Sequence, residues 1–366
     1  MSGGRGLTIG IDARAAAEVP AGRGRVVREL LRALAAREED HRYILYTRRE
    51  WREVALDERF RWREIGAGEP LWHLLAAREA NRRCDVFLSC NSYLTAWFLR
   101  IPCVPIVYDL VAFETGMHPN RRSALIERAT LGVAVRRSRA FIAISQATAD
   151  ALAARYPSTA GRTTVAPLAA SPTLRPGGSA QPVALPAPGF VLAVGTLEPR
   201  KNLPRLVEAY RALDEELQDR HPLVVVGALG WRTGETLTAL QSLGRRCTML
   251  GFVSDGELAE LYERCAVFCY PSLGEGFGLP VLEAMGAGAA VLTSNVSSLP
   301  EVGGQAVAYA DPASVEDIAA ELGSLLADGP RRATLAALAR ERAREFSWDR
   351  FAGRVLSTLQ EAARGV

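Results

Sequence analysis

The chain repeats one local pattern along most of its 366 residues: a short apolar run, a turn with glycine or polar residues, and an amphipathic stretch. Continuous apolar runs that alternate with helical segments are typical of parallel strands covered on both faces. The pattern therefore predicts an α/β fold with Rossmann-like parallel sheets. The predicted strands span residues 7–11, 43–46, 86–89, 104–108 and 140–144 in the first half, and 190–195, 223–226, 249–252, 266–270, 289–293 and 306–309 in the second.

A segment rich in proline and glycine separates these two sets of strands. Residues 167–188 read PLAASPTLRPGGSAQPVALPAP, a composition that interrupts helices and strands alike. A chain of this length also suits two domains, each with its own apolar core. We therefore expect a first domain over residues 1–175, a linker over 176–188 and a second domain over 189–345, with a cleft between the domains.

The most distinctive loop follows the predicted strand 266–270. It reads PSLGEGFGLPVLEAMG over residues 271–286 and leads directly into a helix. Its glycines allow backbone N–H groups to approach a ligand, and the first turn of the helix offers unpaired N–H donors to an anion. Two carboxylates, Glu275 and Glu283, are suited to accept hydrogen bonds from sugar hydroxyls. The loop is a candidate site for a ligand that is part phosphate and part sugar. The alternative is an ordinary strand-to-helix turn.

Lysine occurs once among the 44 Lys and Arg residues, as Lys201 in the sequence EPRKN. This sequence follows the predicted strand that ends at Gly195 and precedes a helix predicted from residue 203 to about residue 217. Arg200 and Lys201 are thus expected at a strand end beside a helix N-terminus, where a compact ammonium group would meet a phosphate as a point charge. The alternative is that the single lysine reflects chance in an arginine-rich chain.

Polar residues also follow strands in the first half. Gly22-Arg23-Gly24 forms a second glycine-containing turn before an amphipathic helix, and Asp109 follows the strand 104–108. Because ligands of open parallel sheets bind beyond the carboxyl ends of the strands, Asp109 is a candidate substrate contact. An equal alternative is that its carboxylate caps the next segment. N-caps of helices are predicted at Ser145, Asn202 and, as a capping box with Glu257, Ser254.

The net charge of +3 is unevenly distributed. Residues 1–175 contain 27 arginines against 18 acidic residues, a net charge of +9, and residues 176–366 contain 17 basic against 23 acidic residues, a net charge of −6. A solvated surface is one interpretation of the basic half. The other is contact with an anionic acceptor or with a phospholipid surface. The sequence lacks the interleaved aromatic and basic residues expected of a nucleic-acid-binding protein.

Several classes of protein are disfavoured by the residue pattern. The six cysteines are not in paired Cys-x-x-Cys spacings, the four histidines are scattered and no Asp-x-Asp occurs. We therefore expect neither a dedicated metal site nor a cofactor, and we expect reduced cysteines in a cytoplasmic protein. No apolar run reaches 18 residues, and the first residues lack the apolar stretch of a signal peptide.

Several segments together resemble the retaining family 4 glycosyltransferases of the GT-B fold, in particular their mannosyltransferase-like members. Glu275 and Glu283 match the Glu-x7-Glu pair of that family, and Arg200-Lys201 matches its basic pair. The resemblance covers almost the whole chain. The matching segments are IGIDAR at 9–14, AGRGRVVRELLRAL at 21–34, ISQATADAL at 144–152, GTLEPRKNL at 195–203, PSLGEGFGLPVLEAM at 271–285, SNVSSLPEVGG at 294–304 and FSW at 346–348.

The resemblance implies two Rossmann-like domains that face a central cleft, with residues 346–366 returning to the first domain as a helix. It implies transfer of a hexose from GDP-mannose or a UDP-sugar to a glycan, a lipid-linked acceptor or a small molecule, as in polysaccharide biosynthesis. It also implies that a phosphate oxygen of the donor takes the acceptor proton, so that neither a metal ion nor a protein base is required. Such an enzyme would act in the cytoplasm, where its basic first domain would meet the inner face of the membrane.

The resemblance also assigns residues to the donor. Arg200 and Lys201 would bind the diphosphate near Gly195, and Glu283 would accept hydrogen bonds from the ribose. The donor sugar would lie against Glu275 and against the backbone of Gly276, Phe277, Gly278 and Leu279. The loop of Gly22, Arg23 and Gly24 would close over the phosphates from the first domain.

One departure from the family concerns the first domain, where Tyr108-Asp109 stands in place of the common His-Asp. A non-catalytic protein that binds sugar nucleotides is therefore an alternative. A nucleotide-sugar epimerase on the same two-domain fold is another. An NAD-dependent dehydrogenase is disfavoured, because the first strand is followed by Asp12-Ala13-Arg14 and not by G-x-G-x-x-G.

Overall fold

The computed structural model describes residues 6–19, 22–53, 55–113, 121–174 and 185–365. Within these ranges the strands are β1 (Thr8–Asp12), β2 (Arg42–Thr47), β3 (Phe60–Glu64), β4 (Val86–Ser89), β5 (Cys103–Val107), β6 (Phe141–Ala143), β7 (Thr163–Val165), β8 (Val191–Val194), β9 (Leu223–Val226), β10 (Cys247–Gly251), β11 (Val267–Tyr270), β12 (Val291–Ser294) and β13 (Ala308–Ala310). The helices are α1 (Arg14–Glu18), α2 (Arg23–Ala35), α3 (Leu71–Arg83), α4 (Arg121–Arg137), α5 (Gln146–Arg155), α6 (Leu203–Arg211), α7 (Glu215–Arg220), α8 (Gly234–Gln241), α9 (Asp255–Arg264), α10 (Leu279–Ala287), α11 (Leu299–Gly303), α12 (Val315–Ala327), α13 (Gly329–Ala343) and α14 (Trp348–Arg364).

These elements form two units. The first comprises Met1–Leu168 and Ser347–Val366, and the second comprises Ala169–Phe346. Most of the predicted linker 176–188 lies outside the described residues, which resume at residue 185. In the described part of the chain, no helix is both long enough and apolar enough to cross a membrane.

The first unit contains a seven-stranded parallel sheet with the order β3-β2-β1-β4-β5-β6-β7. The sequence predicted its five inner strands but missed the edge strands β3 and β7. An edge strand pairs on one side and is partly exposed, so it lacks the continuous apolar run of an inner strand. The sequence of β3 is FRWRE, and all three residues of β7 are only half-buried.

Helix α14 belongs to the first unit although the whole second unit precedes it in the chain. Its apolar face, which includes Phe351, Val355 and Leu359, is fully buried, and the helix packs against α2 and the strands β4 to β7. The hydroxyl of Thr358 lies 3.0 Å from that of Thr164 in β7. The return of the C-terminal segment to the first unit, expected from the family resemblance, is therefore observed.

The second unit contains a six-stranded parallel sheet with the order β10-β9-β8-β11-β12-β13. The sequence predicted all six strands, with bounds that differ by a few residues. Strand β8 pairs with β9 on one side and with β11 on the other, so the chain changes direction across the sheet between β8 and β11. Ligands of doubly wound sheets bind at such a switch point. The loops after β8 and β11 are the two that the sequence singled out.

Local capping is partly as predicted. The Ser145 side chain accepts a hydrogen bond from the Thr148 N–H, and Ser254 and Glu257 form a capping box at the start of α9. Asn202 occupies the predicted N-cap position of α6, but the predicted capping is wrong, because its side chain makes no hydrogen bond to the first turn of the helix. The helix predicted over residues 203–217 is also wrong, since α6 ends at Arg211 and α7 begins separately.

Candidate active site

The loop after β8 carries Arg200 and Lys201, and its backbone conformation determines where these two side chains lie. Gly195 has a φ of +143°, and a Cβ there would lie 3.2 Å from Cε of Lys201, so the missing side chain leaves room for the lysine. Residues Pro199–Lys201 form a 3-10 turn that ends at Asn202, a left-handed residue with a φ of 61°. Asparagine tolerates this conformation better than most residues.

The buried Asn202 side chain explains why this turn keeps its place. Its Nδ2 donates to the carbonyl of Pro271 at 3.0 Å and to that of Pro312 at 2.8 Å. The Leu273 N–H also donates to the Arg200 carbonyl at 2.9 Å. The loop after β8 is therefore fixed directly to the loop after β11, which begins at Pro271.

These two loops bring Arg200, Lys201 and Glu275 together. The Lys201 ammonium donates to Glu275 Oε1 at 2.7 Å, and an Arg200 guanidinium N–H donates to the other Glu275 oxygen. Arg200 also donates to Glu198 Oε1 at 2.7 Å and to the Gly274 carbonyl at 2.8 Å. The side chains of Arg200, Lys201 and Glu275 are 18%, 11% and 9% exposed. The two cations are thus held nearly buried, in fixed positions.

Two hydroxyl groups complete the surroundings of Glu275. The hydroxyls of Tyr270 and Ser272 donate to Glu275 Oε1 at 2.9 and 2.6 Å. Lys201 also donates to the Tyr270 oxygen at 2.5 Å and lies 4.8 Å from the centre of its ring. The sequence placed Tyr270 in a strand and assigned Ser272 no role, because neither residue type marks a ligand site without the loop geometry.

The protonation of this cluster follows from burial and from its charges. Burial raises the pKa of Glu275, but the charges of Lys201 and Arg200 outweigh this effect and lower the pKa to about 2. Burial lowers the pKa of Lys201, and the opposite charge of Glu275 offsets this only partly. Burial also lowers the pKa of Arg200, but the negative charge of Glu275 outweighs burial, so the pKa of Arg200 is raised overall. Glu275 is therefore ionised at any neutral pH.

Hydrogen bonds with the segment before α11 hold the loop 274–278 in place. The Ser297 hydroxyl accepts a hydrogen bond from the Glu275 N–H at 2.9 Å, and the Ser298 hydroxyl lies within 2.9 Å of the carbonyls of both Glu275 and Phe277. The Phe277 ring is buried against Phe346, so its side chain packs in the interior. The sequence predicted a backbone contact for Phe277, which stays a prediction.

Helix α10 begins where the loop ends. Gly278 has a φ of +105°, and a Cβ there would lie 2.7 Å from Leu299, so this N-cap position requires glycine. Leu279 is the first helical residue and Pro280 the second, and proline is tolerated there because its missing N–H has no intrahelical partner in any case. The N-terminus of α10 is thus directed at the loop that carries Gly276 and Glu275, and it contributes a positive dipole end there.

Glu283 lies further along α10 and faces different surroundings. It is 6% exposed, and the Tyr262 hydroxyl donates to its Oε2 at 3.5 Å. It lines a cavity of about 400 Å³ together with Ser171 and Arg340, and that lining does not include Arg200 or Lys201. The two glutamates of the Glu-x7-Glu pair therefore lie in different environments, one among cations and one beside a cavity.

The remaining predicted site residues lie in the first unit. Asp109 accepts a hydrogen bond from the Val111 N–H at 3.0 Å, which is the capping alternative left open by the sequence. Arg23 donates to the Asn91 carbonyl at 3.3 Å, and Gly22 is the left-handed residue before α2. Gly24 lies inside α2, where a Cβ would come 1.8 Å from the Val19 carbonyl oxygen, so its absence of a side chain serves helix packing. Donor contacts by these four residues stay predictions.

The sequence missed a buried polar cluster at the end of β1. Arg14 is fully buried, donates to Asp12 at 2.9 and 2.8 Å and to Glu69 at 2.9 Å, and lies 3.8 Å from the centre of the Trp72 ring. Burial and the neighbouring Arg14 charge lower the pKa of His73 to about 4, so this histidine is neutral at pH 7. The cluster fixes the chain where it leaves β1, which the isolated motif Asp12-Ala13-Arg14 did not reveal.

Comparison with known proteins identifies the family. A family model described as "Glycosyl transferases group 1" matches residues 180–342, and one described as "Glycosyltransferase Family 4" matches residues 20–173. The chain belongs to the family 4 glycosyltransferases. This confirms the resemblance inferred from the sequence.

Relatives of this family 4 chain include two mannosyltransferases from Escherichia coli. The chain is 43% identical to O-antigen chain mannosyltransferase B over 164 residues, which cover 44% of this chain and 43% of that protein. It is 42% identical to the serotype-specific mannosyltransferase WbdA over 163 residues, which cover 43% of this chain and 20% of that protein. The matched part thus spans less than half the length of either relative.

Solved structures show the fold over the full length. The sucrose-phosphate synthase from Thermosynechococcus elongatus superposes with a TM-score of 0.74, covering 98% of this chain and 100% of that one, at 21% sequence identity. The two parallel sheets and the returning helix are those of the GT-B glycosyltransferases. At this low identity the likeness concerns the fold alone.

The backbone around Lys201 gives a first test of the site. In Gly195→Ala, the positive φ and the 3.2 Å approach to Lys201 should cost about 1–3 kcal/mol of unfolding free energy, and displacement of the ammonium should lower turnover at least tenfold. Gly234→Ala is the matched control, because a Cβ there meets nothing within 4 Å. Urea unfolding and initial rates measure both effects. Equal behaviour of the two variants would show that Gly195 does not position Lys201.

Proposed function

We propose that the protein is a retaining hexosyltransferase that moves mannose from a nucleoside diphosphate donor to a glycan, lipid-linked or small-molecule acceptor. The observation that carries this proposal is the pair of nearly buried cations, Arg200 and Lys201, fixed at the switch point between β8 and β11. Membership of family 4 supports sugar transfer, and the two Escherichia coli mannosyltransferases support mannose as the sugar.

The chemistry that such a site favours is departure of a diphosphate. When the bond between the sugar C1 and the phosphate oxygen breaks, negative charge develops on the diphosphate. Fixed cations and a helix N-terminus near that oxygen stabilise this charge without reorganising. Arg200, Lys201 and the start of α10 are the groups of this chain that would act there. Because the side-chain charges already supply this stabilisation, the proposed reaction proceeds without a metal ion.

The proposed reaction retains the configuration at C1. The acceptor oxygen forms its bond to C1 on the face from which the diphosphate departs, and the acceptor proton passes to a phosphate oxygen of the leaving group. This sequence of events consumes no base from the protein. Glu275, with its low pKa, is unsuited to take that proton and is proposed to hold the cations and to accept hydrogen bonds from sugar hydroxyls.

Glu283 and its cavity provide a place for the nucleoside. A carboxylate beside a cavity of about 400 Å³ is suited to accept hydrogen bonds from two ribose hydroxyls, while the diphosphate extends toward the N-terminus of α10. In this assignment the nucleoside lies beside Glu283, within α10, and the diphosphate lies at the N-terminus of α10 and the loop that precedes it.

Binding of nucleotides tests the proposal without knowledge of the acceptor. We expect GDP or another nucleoside diphosphate, at about 100 times its dissociation constant, to add roughly 2.7 kcal/mol to the stability of the folded protein. Thermal unfolding with GDP, UDP, ADP, dTDP and NAD in a buffer with EDTA measures this effect. Stabilisation by NAD alone would contradict sugar transfer. Stabilisation by GDP without release of GDP from GDP-mannose in the presence of acceptors would favour a non-catalytic binding protein.

A further inference from the structure

The sheet of the first unit has a switch point of its own. Strand β1 pairs with β2 on one side and with β4 on the other, so the chain changes direction across the sheet between β1 and β4. Ligands of doubly wound sheets bind beyond the carboxyl ends of the strands at such a point. Residues that follow β4 and β5, Asn91 and Tyr108, line a cavity of about 260 Å³ together with Glu69 and Tyr93. The topology therefore predicts a ligand site in the first unit.

Glu69 is held at this cavity by one of its two carboxylate oxygens. Its Oε1 accepts hydrogen bonds from Arg14 at 2.9 Å and from Arg48 at 3.4 Å, and it lies 3.7 Å from Nε2 of His73. Among the residues that the structure describes, none donates to Oε2. The Glu69 side chain is 56% exposed. One oxygen therefore fixes the carboxylate, and the other is available to a ligand.

Arg14 gives this carboxylate a rigid support. The arginine is fully buried, donates twice to Asp12 and lies over the Trp72 ring, so its guanidinium has a single position. Burial raises the pKa of Glu69, but the charge of Arg14 outweighs burial, so the pKa of Glu69 is lowered overall. Glu69 is therefore ionised at neutral pH, and an ionised carboxylate only accepts hydrogen bonds.

Two further polar groups of the lining make no hydrogen bond within the part of the chain that the structure describes. They are the side-chain amide of the half-buried Asn91 and the hydroxyl of Tyr93. The amide and the hydroxyl can each donate and accept. The charged residues of the lining are one arginine, Arg23, and two glutamates, Glu69 and Glu127. The cavity thus offers both donors and acceptors, without an excess of positive charge.

We propose that this cavity binds an uncharged sugar ring of the acceptor, one hydroxyl of which donates to Oε2 of Glu69. The inference rests on the proposed function and assigns its acceptor to a chemical class. Neighbouring sugar hydroxyls both donate and accept, which matches a carboxylate, an amide and a phenol side by side. A phosphorylated acceptor is disfavoured, because its charge would meet two carboxylates and only one arginine. Pockets for drug-sized ligands measure about 300–1,000 Å³, so this smaller cavity suits a single ring.

Binding of simple sugars to the full chain tests the proposal without a known acceptor. The probes are the methyl glycosides of mannose, glucose, galactose and rhamnose, at millimolar concentrations in saturation-transfer NMR. We expect at least one of them to bind. Mannose 6-phosphate and inositol 1-phosphate should bind roughly tenfold more weakly than that glycoside, because like charges repel at the two glutamates.

Two variants of the cavity and one control locate the binding. Glu69→Gln keeps the shape but removes the charge that makes Oε2 a strong acceptor, so glycoside binding should weaken about tenfold and the disadvantage of phosphorylated sugars should shrink. Tyr93→Phe removes a hydroxyl that has no partner among the described residues, so it should weaken binding about fivefold without disturbing the fold. Glu58→Gln is the matched control, because Glu58 is exposed in the first unit and does not line the cavity.

Three results would overturn the inference. These are absence of glycoside binding, equal or tighter binding of the phosphorylated sugars, and equal losses in the Glu58 control and in the two cavity variants. Thermal stabilisation by GDP, which tests the proposed function, is measured on the same samples. Stabilisation by GDP without glycoside binding contradicts this inference alone, whereas glycoside binding without stabilisation by any nucleotide contradicts sugar transfer. A thermal unfolding transition like that of the unchanged protein shows that each variant is folded.

Discussion

Replacement of Lys201 by alanine should lower turnover by about 10²-fold or more, because one fixed charge that stabilises the leaving diphosphate is lost. Lys201 is held by Glu275 and Tyr270 and is 11% exposed, and a water molecule that fills the space left by its side chain carries no positive charge. Initial rates of nucleoside diphosphate release from the donor sugar measure the effect. Turnover near that of the unchanged protein would remove Lys201 from the mechanism.

One further variant separates charge from shape at position 201, and a second, at an exposed arginine, is a control. Lys201→Arg keeps the charge but brings a wider planar group into the space beside Gly195, so we expect it to recover only part of the lost turnover. Arg220→Ala removes an exposed arginine of the same unit, whose side chain is 59% exposed, and should leave turnover unchanged. A full recovery in Lys201→Arg would show that charge alone matters there.

Replacement of Glu275 by glutamine should lower the free energy of unfolding of the second unit by about 3 kcal/mol, because two nearly buried cations lose their shared carboxylate. Glutamine has almost the same shape, so the loss reflects charge and not a cavity. Turnover should also fall, since Arg200 and Lys201 are no longer held in place. Urea unfolding at pH 7 measures the first effect. Stability equal to that of the unchanged protein would show that the cluster contributes nothing to the fold.

The pH dependence of that loss has a definite sign. The pKa of Glu275 is lowered to about 2 in the folded protein from an ordinary value of 4.5, so its stabilising contribution is complete above pH 4.5 and disappears as the pH falls toward 2. The difference in unfolding free energy between the unchanged protein and Glu275→Gln should therefore shrink across that range. A difference that stays constant down to pH 2 would contradict the low pKa.

The sequence specified the architecture of the two units well because inner strands of a parallel sheet are buried on both faces. Strands such as β9 and β11 contain only residues that are fully buried, and their apolar runs stand out. Edge strands such as β3 are paired on one side and expose alternate residues, so their sequences resemble those of loops. The same reasoning failed at α6 and α7, since both segments favour helix and no glycine or proline separates them. The signal that could have located the break is the run Asp214-Glu215-Glu216, which is typical of a helix start and begins α7.

For the candidate site, the sequence identified which residues carry charge but not how they meet. Arg200, Lys201 and Glu275 were all expected at strand ends, yet their direct contact depends on β8 and β11 being neighbours in the sheet, a fact of topology. The roles of Ser297 and Asn202 could not be predicted from the sequence, for a related reason. Each acts through hydrogen bonds to backbone groups that are distant in sequence, and no spacing pattern records such contacts.

The place of α14 in the first unit also determines when that unit is completed during synthesis on the ribosome. The seven strands of its sheet are all translated before residue 169, but Phe351 and Leu359, which cover part of that sheet, are translated only after the entire second unit. The second unit can fold as it emerges, whereas the first has an uncovered apolar surface throughout that interval. The surface that α14 covers therefore stays exposed in the nascent chain until α14 has left the ribosome.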